Sequence, residues 1–214
     1  MTKRALIIGA TGLIGRQLID QLVDADHIGE IISLTRRAAP HPSAKVRNEV
    51  LDFARLDESA RLFRADLLFS CLGTTRSQAG SLDAQRTVDV DYQLHAARLA
   101  AEAGVAHYLL VSSSGANPNS NNAYLRMKGE LEQAVMRLPF ARISIFRPSL
   151  LLGDRREFRP AEKLGSWLLP LICTLPGLRR YRPIRGAQVA AKMVRVSNTP
   201  GPAVEIFTLD ELFD

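Results

Sequence analysis

Lys3-Arg4-Ala5-Leu6-Ile7-Ile8-Gly9-Ala10-Thr11-Gly12-Leu13-Ile14-Gly15 is the stretch that decides the fold. Lys3 to Ile8 is a short, mostly apolar run ending at a glycine, the pattern of a parallel strand buried on both faces. Leu13, Ile14, Leu18, Ile19, Leu22 and Val23 then recur at helical spacing, with polar residues on the other face. Between the two, Gly9 permits a tight turn, Gly12 lets the backbone approach a pyrophosphate, and Gly15 lets helix and strand pack closely. The helix start turns free N–H groups toward an anion. Three glycines alone are a weak signal, but at the first strand–helix turn they are a strong one. Gly9, Thr11, Gly12, Leu13, Ile14 and Gly15, with Arg16 just beyond, form the first candidate binding set.

Outward from this turn the chain keeps alternating. Glu30 to Thr35, Asn48 to Leu51 and Asp66 to Cys71 read as strands two to four, the last preceded by a helix rich in Leu, Phe and Arg. A long Ala-rich helix over 83–103 stops at Gly104. His107 to Ser112 is a fifth strand, 122–137 a helix and Arg142 to Arg147 a sixth strand. Gln188 to Val196 is a last helix, and Val204 to Leu209 an edge strand. This order predicts an α/β fold with a doubly wound parallel sheet (a Rossmann fold) and a small C-terminal appendage. The expected organisation is one domain over 1–214, in which residues 150–186 form a small lid on the substrate side. Leu164 to Leu175, apolar but broken by Pro170, is expected to pack over a pocket or in a homodimer contact rather than insert in lipid.

Composition removes several classes. Of 214 residues, 46% are hydrophobic and 23% charged, the balance of a globular chain rather than a disordered or fibrous one. Two cysteines, Cys71 and Cys173, give neither a disulfide framework nor metal-ligand spacing, and the four histidines are scattered. No metal is expected. The N-terminal apolar run is too short for a secretory signal, and no stretch approaches the ~20 apolar residues of a membrane span. A cytoplasmic location follows as the expectation. The net charge of +6 lies in the second half, with a knot at Arg179, Arg180, Arg182 and Arg185. Only Tyr181 interleaves with these arginines, so no stacking platform for nucleic acid is indicated.

Two further constellations carry chemistry. Strand two ends in Thr35-Arg36-Arg37, where a site for NAD would place an acidic residue against the ribose 2′-hydroxyl. Guanidinium groups suit a 2′-phosphate instead, which makes NADP(H) the preferred cofactor and NAD(H) the alternative. Tyr124 and Lys128 lie four apart on one helix face, shortly after Ser112-Ser113-Ser114 at the end of strand five. A lysine ammonium eases the loss of a neighbouring phenol's proton, so the tyrosine can exchange it with a carbonyl or alcohol oxygen that a serine orients. Lysine stands at 5 positions against 23 for arginine, so a lysine here hints that the amine itself is wanted.

With these residues in hand, the chain resembles the atypical short-chain dehydrogenase/reductases, and more narrowly the HIV-Tat-interactive oxidoreductase family and its bacterial NAD(P)-binding relatives. The resemblance runs through Gly9 to Gly15, Val88-Asp89-Val90-Asp91-Tyr92, Gly104 to Ser113, Tyr124 to Glu132 and Phe146 to Arg155. It implies that Tyr124 is the acid/base, Lys128 its ribose-binding activator and Ser113 the oxygen-orienting partner, with Ser114 as the alternative serine. It implies further that Cys71, Leu72, Gly73 and Thr74 line the ribose and nicotinamide, that Asp52 and Phe53 flank the adenine, and that the turn at Arg147-Pro148 closes over the nicotinamide. Ser112 and Ser114 join the cofactor-binding set. The chain departs from the family at Asp89, where many members carry Asn, and where extended members carry a large C-terminal substrate domain, only residues ~150–186 are expected to serve.

Two functions compete on this basis. One is an NADP-dependent carbonyl reductase or alcohol dehydrogenase with a small-molecule substrate. The other is a cofactor-binding sensor or regulatory protein without turnover. The Ser/Tyr/Lys set favours the enzyme, and the small size of the expected substrate segment favours the sensor.

Overall fold

The computed structural model describes residues 2–152 and 182–213. Seven parallel strands form one sheet in the order β3-β2-β1-β4-β5-β6-β9. These are β1 (Lys3–Ile8), β2 (Ile28–Thr35), β3 (Val46–Val50), β4 (Leu67–Ser70), β5 (His107–Val111), β6 (Arg142–Arg147) and β9 (Val204–Thr208). The order reverses between β1 and β4, and such a reversal opens a crevice beyond the strand ends. The doubly wound parallel sheet expected from the sequence is therefore present, with β9 at its edge.

Both faces of the sheet are covered, and period-two alternation sorts the core. Ala5, Ile7, Phe69, Leu109 and Val111 point to one side, where α1 (Leu13–Val23) and α6 (Gly186–Asn198) supply Leu18, Leu22, Val189 and Met193. Leu6, Ile8, Leu68, Tyr108 and Leu110 point to the other, against Ala96, Ala97, Leu131 and Val135. Those four come from α4 (Tyr92–Glu102) and α5 (Ala123–Val135). The small alanines let α4 lie close to the sheet. Fully burying one leucine or phenylalanine in such a core is worth about 1.5–3 kcal/mol, so two filled layers are ample for a chain of this length.

Two helices differ from expectation. Phe53–Phe63 forms tight 3₁₀ turns with a kink at Arg55 and Ser59, and only Phe53, Leu56 and Phe63 are buried. The long helix over 83–103 is α3 (Leu82–Arg86), a π-helical turn (Thr87–Asp91) and then α4. Leu151–Leu152 (β7) and Ile184–Arg185 (β8) pair in parallel as a separate ribbon. The short α2 (Arg76–Ala79) follows the β4 loop. The expectations for Leu164 to Leu175, for Cys173 and for Arg179 and Arg180 fall outside the described residues. Arg182 lies over the Phe213 ring at 3.8 Å, and Arg185 is exposed at the start of α6.

Candidate functional site

The glycine turn is built as its sequence requires. Gly9 has φ +79°, and a Cβ there would lie 2.3 Å from the carbonyl carbon of Cys71, so no larger residue fits. A Cβ at Gly15 would lie 2.2 Å from the Gly9 carbonyl oxygen. The Gly12 N–H donates to that same oxygen at 3.0 Å and closes the turn. Gly12 caps α1 without any side chain, and no acidic residue stands in the helix's first turn. The first N–H groups of an 11-residue helix are thus left for an anion.

A groove of about 690 Å³ lies over this turn at the β1/β4 reversal. Gly9, Ala10, Thr11 and Gly12 form its floor, Thr35, Arg36 and Arg37 one end, and Cys71 to Thr74 a wall. Phe53 lines it too, its ring 5.8 Å from that of Tyr92. Arg36 and Arg37 are exposed, and among the described residues neither has an ion-pair partner. Thr35 just before them is fixed by Asn48, whose side-chain amide donates to Thr35 Oγ1 at 2.9 Å. A glycine cradle, an open helix start and free guanidinium groups at the end of β2 fit an NAD(P) dinucleotide. Burial pushes the Cys71 thiol up to about 12, with Lys128 opposing the shift, so this groove residue is a neutral thiol.

Several expected residues stand elsewhere. Among the described residues, the groove lining includes neither Leu13, Ile14, Gly15, Arg16 and Asp52 nor Ser112, Ser113, Ser114, Tyr124, Lys128, Arg147 and Pro148. Asp52 instead caps the 3₁₀ segment, accepting the Ala54 N–H at 2.9 Å. Arg147 is turned toward α5: its Nε donates to Glu132 Oε1 at 3.0 Å and its Nη2 to Glu132 Oε2. Glu132 is buried, and this contact raises the Arg147 pKa further. The Pro148 carbonyl accepts the Ser114 N–H at 2.9 Å, which ties the turn after β6 to the serine loop.

The second cluster gathers on α5. Asn122 caps the helix by accepting the N–H groups of Tyr124 and Leu125 at 3.0 and 3.2 Å. Tyr124 is exposed and Lys128 buried, with Lys128 Nζ 5.9 Å from the Tyr124 ring centre. Nζ also lies 3.9 Å from where a Cβ on Gly73 would stand, so this helix reaches the groove wall. Gly129 makes the approach possible on the other side, since a Cβ there would lie 2.3 Å from the Asn117 carbonyl carbon. The Asn117 N–H donates to the Leu125 carbonyl at 3.1 Å, locking the loop after β5 onto α5. Ser112 is buried and its hydroxyl finds no hydrogen-bond partner among the described residues, whereas Ser113 and Ser114 are half-buried. Ser113 Oγ makes a long contact of 3.4 Å to the Ser114 carbonyl.

Sequence reasoning missed what lies behind Lys128. Asp89 is fully buried in the π turn, and its Oδ1 is 4.0 Å from Lys128 Nζ. The Asp89 departure at a site-lining motif was the available signal.

The fold and the groove define an NAD(P)-binding protein of the short-chain dehydrogenase/reductase type. Residues 5–165 match the NAD dependent epimerase/dehydratase family, and the chain belongs to that family. It is 41% identical over 170 residues to Protein HTATIP2 of Rattus norvegicus, covering 78% of this chain and 68% of that protein. Against Protein FMP52, mitochondrial, of Saccharomyces cerevisiae it is 34% identical over 212 residues, covering 92% of this chain and 88% of the relative. Among solved structures, MoeE5 in complex with UDP-glucuronic acid and NAD superposes with a TM-score of 0.74 at 14% identity, over 96% of this chain and 76% of that one. The Bordetella bronchiseptica enzyme WbmH in complex with NAD+ gives 0.73 at 13% identity, over 97% and 76%. At such identities the structural likeness speaks for the fold alone. The family match and the 41% identity to Protein HTATIP2 bear out the resemblance drawn from the motifs. No helix among the described residues is long and apolar enough to cross a membrane.

Proposed function

We propose that the chain is an NADP(H)-dependent oxidoreductase that interconverts a small carbonyl compound and its alcohol. The observation that carries this reading is the reach of Lys128, which lies beside both the Tyr124 ring and Gly73 of the groove wall. Gly9, Thr11, Gly12 and the start of α1 would hold the diphosphate, and Arg36 and Arg37 the 2′-phosphate. Cys71 to Thr74 would line the ribose and nicotinamide, with Phe53 beside the adenine. When bound, the nicotinamide supplies or accepts the hydride at the substrate carbon. Tyr124 donates its phenolic proton to the carbonyl oxygen, or takes the proton back from the alcohol. Lys128 holds a positive charge beside the ring, which favours loss of that proton. Ser113 or Ser114 hydrogen-bonds the same oxygen. Ser112, its hydroxyl buried, is kept in the proposal only as a neighbour of the cofactor.

The proposal includes a single domain and a cytoplasmic setting; most of the lid expected over 150–186 lies outside the described residues. Some fungal relatives carry "mitochondrial" in their names, so fractionation of the source cells decides the second point. The functional test is a screen of aldehydes and ketones by NADPH oxidation, repeated with Tyr124→Phe. General acid help is worth about 10²–10⁴-fold, so the variant should lose turnover by that factor while binding NADPH as the wild type does. NADPH binding without turnover on any carbonyl would favour the sensor reading. Full turnover in Tyr124→Phe would overturn the mechanism.

A further inference from the structure

Arg36 and Arg37 stand on a turn, and what holds that turn lies one strand further out. β2 ends at Thr35, whose carbonyl accepts the Leu51 N–H at 3.0 Å. Residues 36–39 then belong to no helix or strand, and Arg36, Arg37 and Ala38 are exposed. Pro40 follows and has no N–H to donate. A turn of this kind, left to itself, samples many backbone states, and the two adjacent cations repel each other throughout.

Asn48 on β3 fastens it at both ends. It stands opposite Ser33 in the parallel β2/β3 register and so shares a sheet face with Ser33 and Thr35. Before the arginines, its amide nitrogen donates to the Ser33 carbonyl at 3.1 Å, to Ser33 Oγ at 3.0 Å and to Thr35 Oγ1 at 2.9 Å. After them, its amide oxygen accepts the Ala39 N–H at 2.8 Å. The Ser33 carbonyl can only accept and the Ala39 N–H can only donate, so the amide fits in one orientation. Ser33 and Thr35 are buried, which anchors the first end of the clamp in the sheet. An aspartate would set a carboxylate oxygen against the Ser33 carbonyl, and a leucine would leave the Ala39 N–H without its acceptor.

We propose that Asn48 is a positioning residue for cofactor specificity: by clamping Thr35 and Ala39 it holds the Arg36–Arg37 turn ready for the 2′-phosphate of NADP(H). This rests on the reading of these arginines as the 2′-phosphate ligands. Thr35, Arg36 and Arg37 line the groove, whereas among the described residues Asn48 and Ala39 do not. Asn48 therefore acts through the turn. NAD(H) carries a hydroxyl where the phosphate would be, gains little from the guanidinium groups and is indifferent to the clamp.

The test titrates NADPH and NADH against the wild type, Asn48→Ala, Arg36→Ala/Arg37→Ala and the triple variant, in the full chain and below every Tm. Freeing one residue's backbone, to be fixed again on binding, corresponds to about 5- to 30-fold in affinity, so Asn48→Ala should weaken NADPH by about that factor and leave NADH nearly unchanged. The Ala39 amide, now without its acceptor, should exchange its hydrogen faster in the cofactor-free protein. Adding Asn48→Ala to the double arginine variant should weaken NADPH no further, because the clamp works only through those side chains. Equal losses for NADPH and NADH in Asn48→Ala, an unchanged Ala39 exchange rate, or a further loss of NADPH in the triple variant overturns the proposal. If Asn48→Ala does not fold, Asn48→Leu, which keeps the side chain's bulk, is judged by the same ratio of affinities. A wild type without preference for NADPH sinks the arginine assignment and the inference with it. A preference lost in the arginine variant but kept in Asn48→Ala sinks the inference alone.

Discussion

Arg147 offers the sharpest separation between what the motif implies and what the packing shows. The resemblance puts this arginine over the nicotinamide, whereas the structure spends both arms of its guanidinium on Glu132, which is 2% exposed. Replacing Arg147 with Met leaves a buried carboxylate without its counter-charge. Breaking a buried pair in this way costs about 3–5 kcal/mol. The Arg147 side chain is 26% exposed, so water partly screens the pair and about 2–3 kcal/mol is the better expectation. A chain of this size loses about 2–4 °C of Tm per kcal/mol, which sets the fall at about 4–12 °C. The Arg147→Met/Glu132→Leu double variant should recover much of that loss, because an apolar pair replaces the ionic one without a stranded charge. Thermal unfolding followed by circular dichroism, beside NADPH titration, measures both quantities. An Arg147→Met protein with wild-type Tm and weakened NADPH binding would refute the packing argument and return this arginine to the cofactor.

Arg36→Ala/Arg37→Ala should weaken NADPH and leave NADH nearly unchanged. Each charge-assisted contact contributes about 1.5–3 kcal/mol, so equal losses for the two cofactors in parallel titrations would remove the 2′-phosphate assignment. Gly9→Ala forces a Cβ onto the Cys71 backbone at 2.3 Å and should abolish cofactor binding as well as lower Tm, both read in one thermal-shift series with and without NADPH. Stability should also depend on His107. Burial first, then the charges of Arg142 and Lys3, lower its pKa from 6.5 to about 3. The unfolded chain takes up the proton first as pH falls, so the His107 contribution is complete above pH 6.5 and is lost between there and pH 3, at up to ~1.4 kcal/mol per unit. Urea unfolding across that range should show a slope that His107→Gln flattens, and an equal slope in both proteins would count against it.

The fold was legible because its signals are local and agree. A strand that stops at Gly9, a helix that starts after Gly12 and near-continuous Val/Ile/Leu runs in β1, β2 and β5 leave few alternatives. What escaped was local geometry with no periodic signature. Apolar spacing over 53–63 and 83–103 reads as helix whether the turns are α, 3₁₀ or π. Through the π turn the inward face of this helix carries Gln85, Asp89 and Gln93, whose partners exist only in the folded chain.

The candidate site divides along the same line. Gly9 and Gly12, Arg36 and Arg37, and the Tyr124–Lys128 pair declare themselves by residue type and spacing, since each works through its own backbone freedom, charge or proton. Arg147 and Glu132 lie on different elements, and so do Asp89 and Lys128, 39 positions apart in the chain. Their pairing follows from how α5 is wedged between the β4 loop and β6, which no window of sequence contains. A lone aspartate in a helix reads as a solvated charge until burial is known. The same applies to His107, whose Nε2 meets Ser144 at 2.8 Å while Ser144 donates to Glu205 at 2.6 Å, across three strands that are distant in sequence. In this chain the residues that would contact a ligand are written locally. The residues that hold them in place are written by the fold, and it is there that substitutions should separate stability from binding.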